Sequence, residues 1–140
     1  MIVYADMVAD LLHLGHIRFL EKCKNIAGQR SLVVGIHNDE DVASYKRRPV
    51  YPMAARAQLV SCLKIVDAVC ENAPLVITED FIGEKNIAVV VHGHVCKHDK
   101  EYHKIQQMYA VPIEMGIMCW VDPYPGISTT QIIEKVKSEY

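Results

Sequence analysis

His13 and His16 bracket a glycine in the run His13-Leu14-Gly15-His16. Two imidazoles one helical turn apart can both donate hydrogen bonds to one phosphate, and Gly15 would let the backbone come close to it. Near the other end, Gly126-Ile127-Ser128-Thr129-Thr130 reads two ways. It is a helix cap, and its hydroxyls and N–H groups also suit a phosphate. Lys46, Arg47 and Arg48 form a basic run that is either a solvated loop or a clamp on a polyphosphate. Phosphoryl transfer is served by such positioned donors and cations, because charge grows on the transferring and leaving oxygens. A rival grouping is His92, His94, Cys96, His98 and His103. Alternate residues at a strand end share a face, so several could bind zinc. Their spacing fits no familiar zinc module and no C-x-x-C is present, so we assign no metal ligands. Histidines beside a substrate pocket are the better reading.

These residues need elements to hold them, and apolar runs alternate with helical patterns along the chain. Ile2 to Ala5 reads as strand one and Leu14 to Ile26 as a helix, with Leu14, Ile17, Leu20, Cys23 and Lys24 on one face and Ala27-Gly28 as its end. Ser31 to His37 is strand two, followed by a short helical turn or loop from Asn38 and the basic loop Ser44 to Val50. Pro52 opens a helix to Leu63, and Ile65 to Val69 is a third strand. A helix from Thr78 or Glu79 to about Lys85 precedes strand four, Ile87 to His92, whose β-branched run suits burial on both faces. Lys100 to Tyr109 is expected to be helical and Val111 to Met115 to be strand five. Ser128 caps a closing helix to Tyr140 with Ile132, Ile133 and Val136 as its buried stripe. This βαβ rhythm calls for a single α/β domain over residues 1–140. Its sheet is parallel, five-stranded and doubly wound in the Rossmann manner, with helices on both faces. In such sheets ligands bind at the carboxyl ends of the strands, so both phosphate motifs should converge there.

Length and composition agree. At 140 residues a domain buries roughly 70% of its unfolded surface, enough for its own core. The net charge of −2 gives no basic field, so nucleic acid is not implied as a partner. No apolar run is long enough to span a bilayer, and Asp6 and Asp10 interrupt any leader-like start. Five scattered cysteines read as reduced thiols in a cytoplasmic protein.

The run Asp10 to His16, with Arg18 and Leu20 after it, closely resembles the signature of the cytidylyltransferases, a family that includes CTP-dependent phosphoethanolamine, phosphocholine and glycerol-3-phosphate enzymes of phospholipid biosynthesis. Gly35 to Glu40 resembles the family's strand-two ending, and Tyr45 to Val50 its lysine loop. Arg56 with Val66-Asp67-Ala68-Val69 resembles its arginine helix and following strand. Asn72-Ala73-Pro74 and Gly126 to Thr130 complete the series in order. His92-Gly93 is most like the phosphoethanolamine enzymes. The resemblance implies transfer of CMP from CTP to a small phosphorylated alcohol, with phosphoethanolamine the first expectation, then phosphocholine or glycerol 3-phosphate.

It also implies roles. His13 and His16 would stabilise charge on the α- and β-phosphates, and Lys46 would hold the α-phosphate and help orient the nucleophile. The backbone of Met7, Val8 and Ala9, with Asp10, Gly15 and Arg56, would serve the nucleotide. Gly126 and Ile127 would shape the closing turn, and Ser128, Thr129 and Thr130 would bind the outer phosphates. Leu75, His92, Gly93 and His94 would meet the acceptor. Mg²⁺ is implied as the neutraliser of the polyphosphate, and a homodimer is implied with α-helix Arg56 and strand Asp67 near the interface. Three departures stand out. Met7-Val8-Ala9 lacks the family's glycine, Pro123-Tyr124-Pro125 lacks its arginine, and Leu75 stands where an aromatic residue is common. Arg47, Arg48 or Arg56 would have to supply the missing cation. The rival within this fold is a nucleotide-binding module that has lost catalysis.

Overall fold

The apolar runs at residues 2–7, 31–36, 68–71, 87–93 and 118–121 pair edge to edge in the computed structural model, which describes all 140 residues. They are β1 (Ile2–Met7), β2 (Ser31–Ile36), β3 (Ala68–Glu71), β4 (Ile87–Gly93) and β5 (Met118–Val121). Every pairing is parallel and the order is β3-β2-β1-β4-β5. Seven helices connect and close them: α1 (Leu14–Ala27), α2 (Asp39–Ala43), α3 (Met53–Ser61), α4 (Glu79–Lys85), α5 (Tyr102–Met108), α6 (Ala110–Glu114) and α7 (Thr129–Glu139). The chain moves outward from β1 through β2 to β3, then crosses back to β4 and β5. The reversal lies between β1 and β4, which opens a crevice at their carboxyl ends.

Alternation along the strands builds two cores. Val3 and Ala5 of β1, with Leu32, Val34 and Ile36 of β2, pack toward Leu20, Cys23 and Ala27 of α1 and Ala57 and Val60 of α3. Tyr4 and Val90 face the other way, onto Ile82 of α4, Ile105 and Met108 of α5, and Tyr109. A strand clothed on both faces has no polar side to show, which explains the near-continuous apolar runs. Gly35 has a packing reason: a Cβ there would lie 2.1 Å from the Tyr4 hydroxyl. Gly28 caps α1 at φ 62°, a conformation that costs a side-chain-bearing residue about 1 kcal/mol or more.

Four sequence expectations are corrected. Val111 to Met115 is not strand five; it lies mostly in α6, and β5 follows at Met118–Val121. Pro112 cannot donate to a ladder yet is tolerated in the first turn of a helix, and Gly116 at φ 74° ends the turn before the strand. Strand three begins at Ala68 rather than Ile65, because Val66 drops into the core and the Asp67 carboxylate accepts from the Leu32 N–H at 2.7 Å. The closing helix has no buried residue, and Val136, expected in its inner stripe, is 53% exposed. Leu14 of α1 is likewise exposed.

Candidate functional site

A cleft of about 710 Å³ opens at the carboxyl ends of β1, β2, β4 and β5. Its first wall is the turn from β1 into α1. His13 caps α1: its Nδ1 accepts from the Gly15 N–H at 3.0 Å, and the His13 N–H donates to His16 Nδ1 at 3.0 Å. The two rings lie 3.9 Å apart between centroids, tilted by 39°. Gly15 is required by this fold-back, since a Cβ would sit 2.7 Å from His13 Cε1. The cap also fixes the tautomers. Each Nδ1 is an acceptor, so each neutral ring carries its proton on Nε2. Burial lowers the pKa of both rings. His16 falls to about 4, helped by the neighbouring His13 ring and by Lys46 against the pull of Asp10. At neutral pH the pair therefore presents two N–H donors and no net charge.

Asp10 gathers the remaining walls. Its Oδ2 accepts from the Val50 N–H at 2.7 Å and its Oδ1 from the Tyr51 N–H at 3.0 Å, anchoring the end of the basic loop. Its carbonyl accepts from the Thr129 hydroxyl at 3.0 Å, anchoring α7. With both carboxylate oxygens engaged, Asp10 organises the cleft more than it offers a free ligand. Ser128 Oγ caps α7 by accepting from the Gln131 N–H at 3.1 Å. The imidazole pair, Lys46 and the hydroxyl-bearing helix start thus face one cavity. Lys46 lines the cleft with an exposed side chain, and desolvation by the surrounding protein pulls its pKa below the usual lysine value.

The floor was not legible as a site in the sequence. Asp6 is buried, with its Oδ1 accepting from the Tyr109 hydroxyl and its Oδ2 3.1 Å from His37 Nε2. His92 stacks obliquely 4.8 Å from Tyr109, and its Nδ1 meets the Gly93 carbonyl at 2.7 Å. A carbonyl only accepts, so Nδ1 carries the proton. Burial lowers the His92 pKa, and the neutral ring leaves Nε2 as an acceptor. The floor therefore offers the cleft an acceptor nitrogen, opposite in sense to the donors of the α1 wall, while the Asp6 carboxylate spends both oxygens on His37 and Tyr109. A charged residue inside an apolar strand, Asp6 in Ile2–Met7, was the one signal that could have exposed it.

A model of the cytidylyltransferase-like family matches residues 5–135. The chain belongs to this family. It is 33% identical over 141 residues to the ethanolamine-phosphate cytidylyltransferase of Arabidopsis thaliana, covering 99% of this chain and 33% of that one. It is 32% identical over 142 residues to the choline-phosphate cytidylyltransferase of Saccharomyces cerevisiae, covering 99% and 32%. The chain thus spans about a third of the length of these relatives. Among solved structures it resembles the lipopolysaccharide core biosynthesis protein of Thermoplasma volcanium, with a TM-score of 0.66 and 26% identity over 89% of this chain and 98% of that one.

Within this cytidylyltransferase-like frame most of the expected site residues line the cleft: Met7, Val8 and Ala9, the histidine motif, Lys46, His92 to His94, and Ile127 to Thr130. Three do not. Arg56 is fully buried and donates to the carbonyls of Tyr51, Val8 and His37 and to Asp39 Oδ1, at 2.6 to 2.9 Å. It splints the loops behind the cleft and has no face left for a phosphate. Leu75 packs against the Tyr4 core instead of facing an acceptor. Gly126 stands outside the cleft and turns the chain at φ 90°. The absent loop glycine costs little, because Met7 is an ordinary strand residue paired with Ile36. The strain falls on Ala9 and Leu11, at φ 56° and 47°. Pro123 and Tyr124 line the cleft ahead of α7. No three His, Cys, Asp or Glu side chains gather into a metal cage.

Proposed function

We propose that this chain transfers CMP from CTP to a small phosphorylated amino alcohol, with phosphoethanolamine the first candidate, releasing pyrophosphate and supplying a CDP-alcohol to phospholipid synthesis. The observation that carries this reading is the Asp10 junction, which draws the basic loop and α7 to the His13–His16 wall. A phosphate oxygen of the acceptor forms the new bond to the α-phosphorus, and the bond from that phosphorus to the β-bridging oxygen breaks. The Nε2–H groups of His13 and His16 donate to the α- and β-phosphate oxygens as charge builds there, without a proton having to leave. Lys46 holds the α-phosphate against the incoming nucleophile, and Ser128, Thr129 and Thr130 receive the outer phosphates at the positive end of α7. Mg²⁺ brought with CTP would neutralise charge on the triphosphate.

The floor favours a primary ammonium. His92 Nε2 accepts an N–H donor, which an ethanolamine head group has and a quaternary head group lacks. A choline cation would instead call for an aromatic cage, and Leu75 contributes none. The free thiols suit a reducing, cytoplasmic compartment, and no helix is long and apolar enough to cross a membrane. The exposed Val50, Tyr51 and Leu59 around α3 would serve as a homodimer contact. Pyrophosphate release with CTP and a panel of phosphoethanolamine, phosphocholine and glycerol 3-phosphate tests the assignment, with phosphoethanolamine expected to give the highest kcat/KM. Binding of CTP without turnover of any of the three would instead support a nucleotide-binding module that has lost catalysis, the reading favoured by Pro123-Tyr124-Pro125 beside the outer-phosphate site.

A further inference from the structure

Three cationic side chains reach the cleft: Lys46, Arg47 and Lys100. Of these, Arg47 alone is hydrogen-bonded to α7, through Nη2 to the Thr130 hydroxyl at 3.4 Å. That contact is long and between solvent-facing groups, so it holds little by itself. What matters is where it places the guanidinium: over the first turn of α7, beside Ser128 and Thr129. A guanidinium has five N–H donors in a planar fork, and one neutral hydroxyl leaves most of them free for phosphate oxygens. The other arginines are excluded by position. Arg48 is 65% exposed, lies outside the cleft and approaches only Glu40 at 3.8 Å. Arg56 spends its guanidinium on three carbonyls and Asp39. The segment leading into α7, Pro123-Tyr124-Pro125, supplies no cation of its own, so the outer-phosphate end of the cleft depends on a charge brought from the loop after α2.

We propose that Arg47 is the outer-phosphate ligand of this site, clamping the β- and γ-phosphates of CTP against the first turn of α7, an inference that rests on the CTP reading above. Arg47 then determines how strongly the site prefers a triphosphate to a monophosphate. The test is calorimetric titration of the wild-type chain, Arg47→Ala, Arg47→Lys and Arg48→Ala with Mg-CTP and with CMP. Arg47→Ala is expected to weaken CTP binding by about 10- to 100-fold, the range for losing hydrogen bonds to a charged group, with CMP affinity unchanged. Arg47→Lys, which keeps the charge but not the fork, should recover part of the loss, and Arg48→Ala should match the wild type. The proposal is overturned if Arg47→Ala binds CTP as the wild type does, or if it loses CTP and CMP by the same factor, which would make the arginine a strut. A wild-type chain that binds neither nucleotide would overturn the CTP reading itself, a result distinct from either of these.

Discussion

At the scale of single residues, the imidazole pair does two jobs through different nitrogens. Nδ1 of each ring closes the helix cap, which leaves Nε2 for the proposed chemistry. Replacing His16 by alanine removes a donor aimed at developing charge, and turnover should fall about 10²- to 10³-fold. Steady-state pyrophosphate release with circular dichroism as the fold control measures this, and near-normal turnover would show that the role is misassigned. The same residue sets a pH response. Its pKa lies near 4 in the folded chain against about 6.5 unfolded, so the unfolded chain binds more protons between those values. The stabilisation is complete above pH 6.5 and is lost as pH falls toward 4, on the order of 3 kcal/mol in all. Urea midpoints of wild type and His16→Asn across pH 4–7 would show it as a steeper slope in the wild type, the remainder in the variant coming from His13 and His92. Arg56 behaves differently because all it touches is protein. Arg56→Ala leaves Asp39 and three carbonyls without their donor and should cost about 3–5 kcal/mol. Arg56→Lys should not restore it, since an ammonium cannot reproduce the fork. An Arg56→Ala chain of native stability would contradict the splint.

At the scale of elements, α7 is the loosest part of the site. It has no buried residue, and its hold on the body of the protein near the cleft is the Thr129–Asp10 bond with the longer Arg47–Thr130 contact. Its amides should exchange with solvent faster than those of α1, and CTP should slow them selectively, because phosphates would close the gap that side chains leave open. Hydrogen exchange by mass spectrometry with and without CTP decides this; α7 protected as strongly as α1 in the free chain would refute it. The sequence shows why such an element is hard to grade. Ile132, Ile133 and Val136 have the right spacing for an inner stripe, but spacing does not reveal whether anything lies beneath. Val111 to Met115 misled for a related reason, since a short apolar run reads alike as strand or buried helix until Pro112 is weighed. Motifs whose residues do local work were legible: the Ser128 cap and the Gly28 stop each announce themselves within a few positions, whereas the cap made by His13 emerged only from the structure. The Asp6–His37–Tyr109 floor was not, because its members are joined only when β1, β2 and the end of α5 are brought side by side.

At the scale of the whole molecule, the cleft spans the line where the chain reverses direction across the sheet. β1 and α1 supply one wall, the loop after β2 another, and the segments after β4 and β5 the rest. These walls are far apart in sequence, and few direct bonds join them beyond those made by Asp10 and Arg56. A nucleotide bound by all of them would act as a clasp that the unfolded chain cannot use. CTP at a hundred times its Kd should add about 2.7 kcal/mol to the folding free energy, raising Tm by roughly 10 °C for a domain of this size. CMP at the same multiple of its own Kd adds the same free energy, because linkage counts saturation and not contacts. At equal millimolar concentration, however, CTP should give the larger shift, since only the outer phosphates, which CMP lacks, would reach Arg47 and α7. Differential scanning fluorimetry at matched concentrations separates the cases. Equal shifts for CTP and CMP at equal concentration would mean that the triphosphate tail gains nothing from α7, and the joining of the two phosphate motifs into one site would fail.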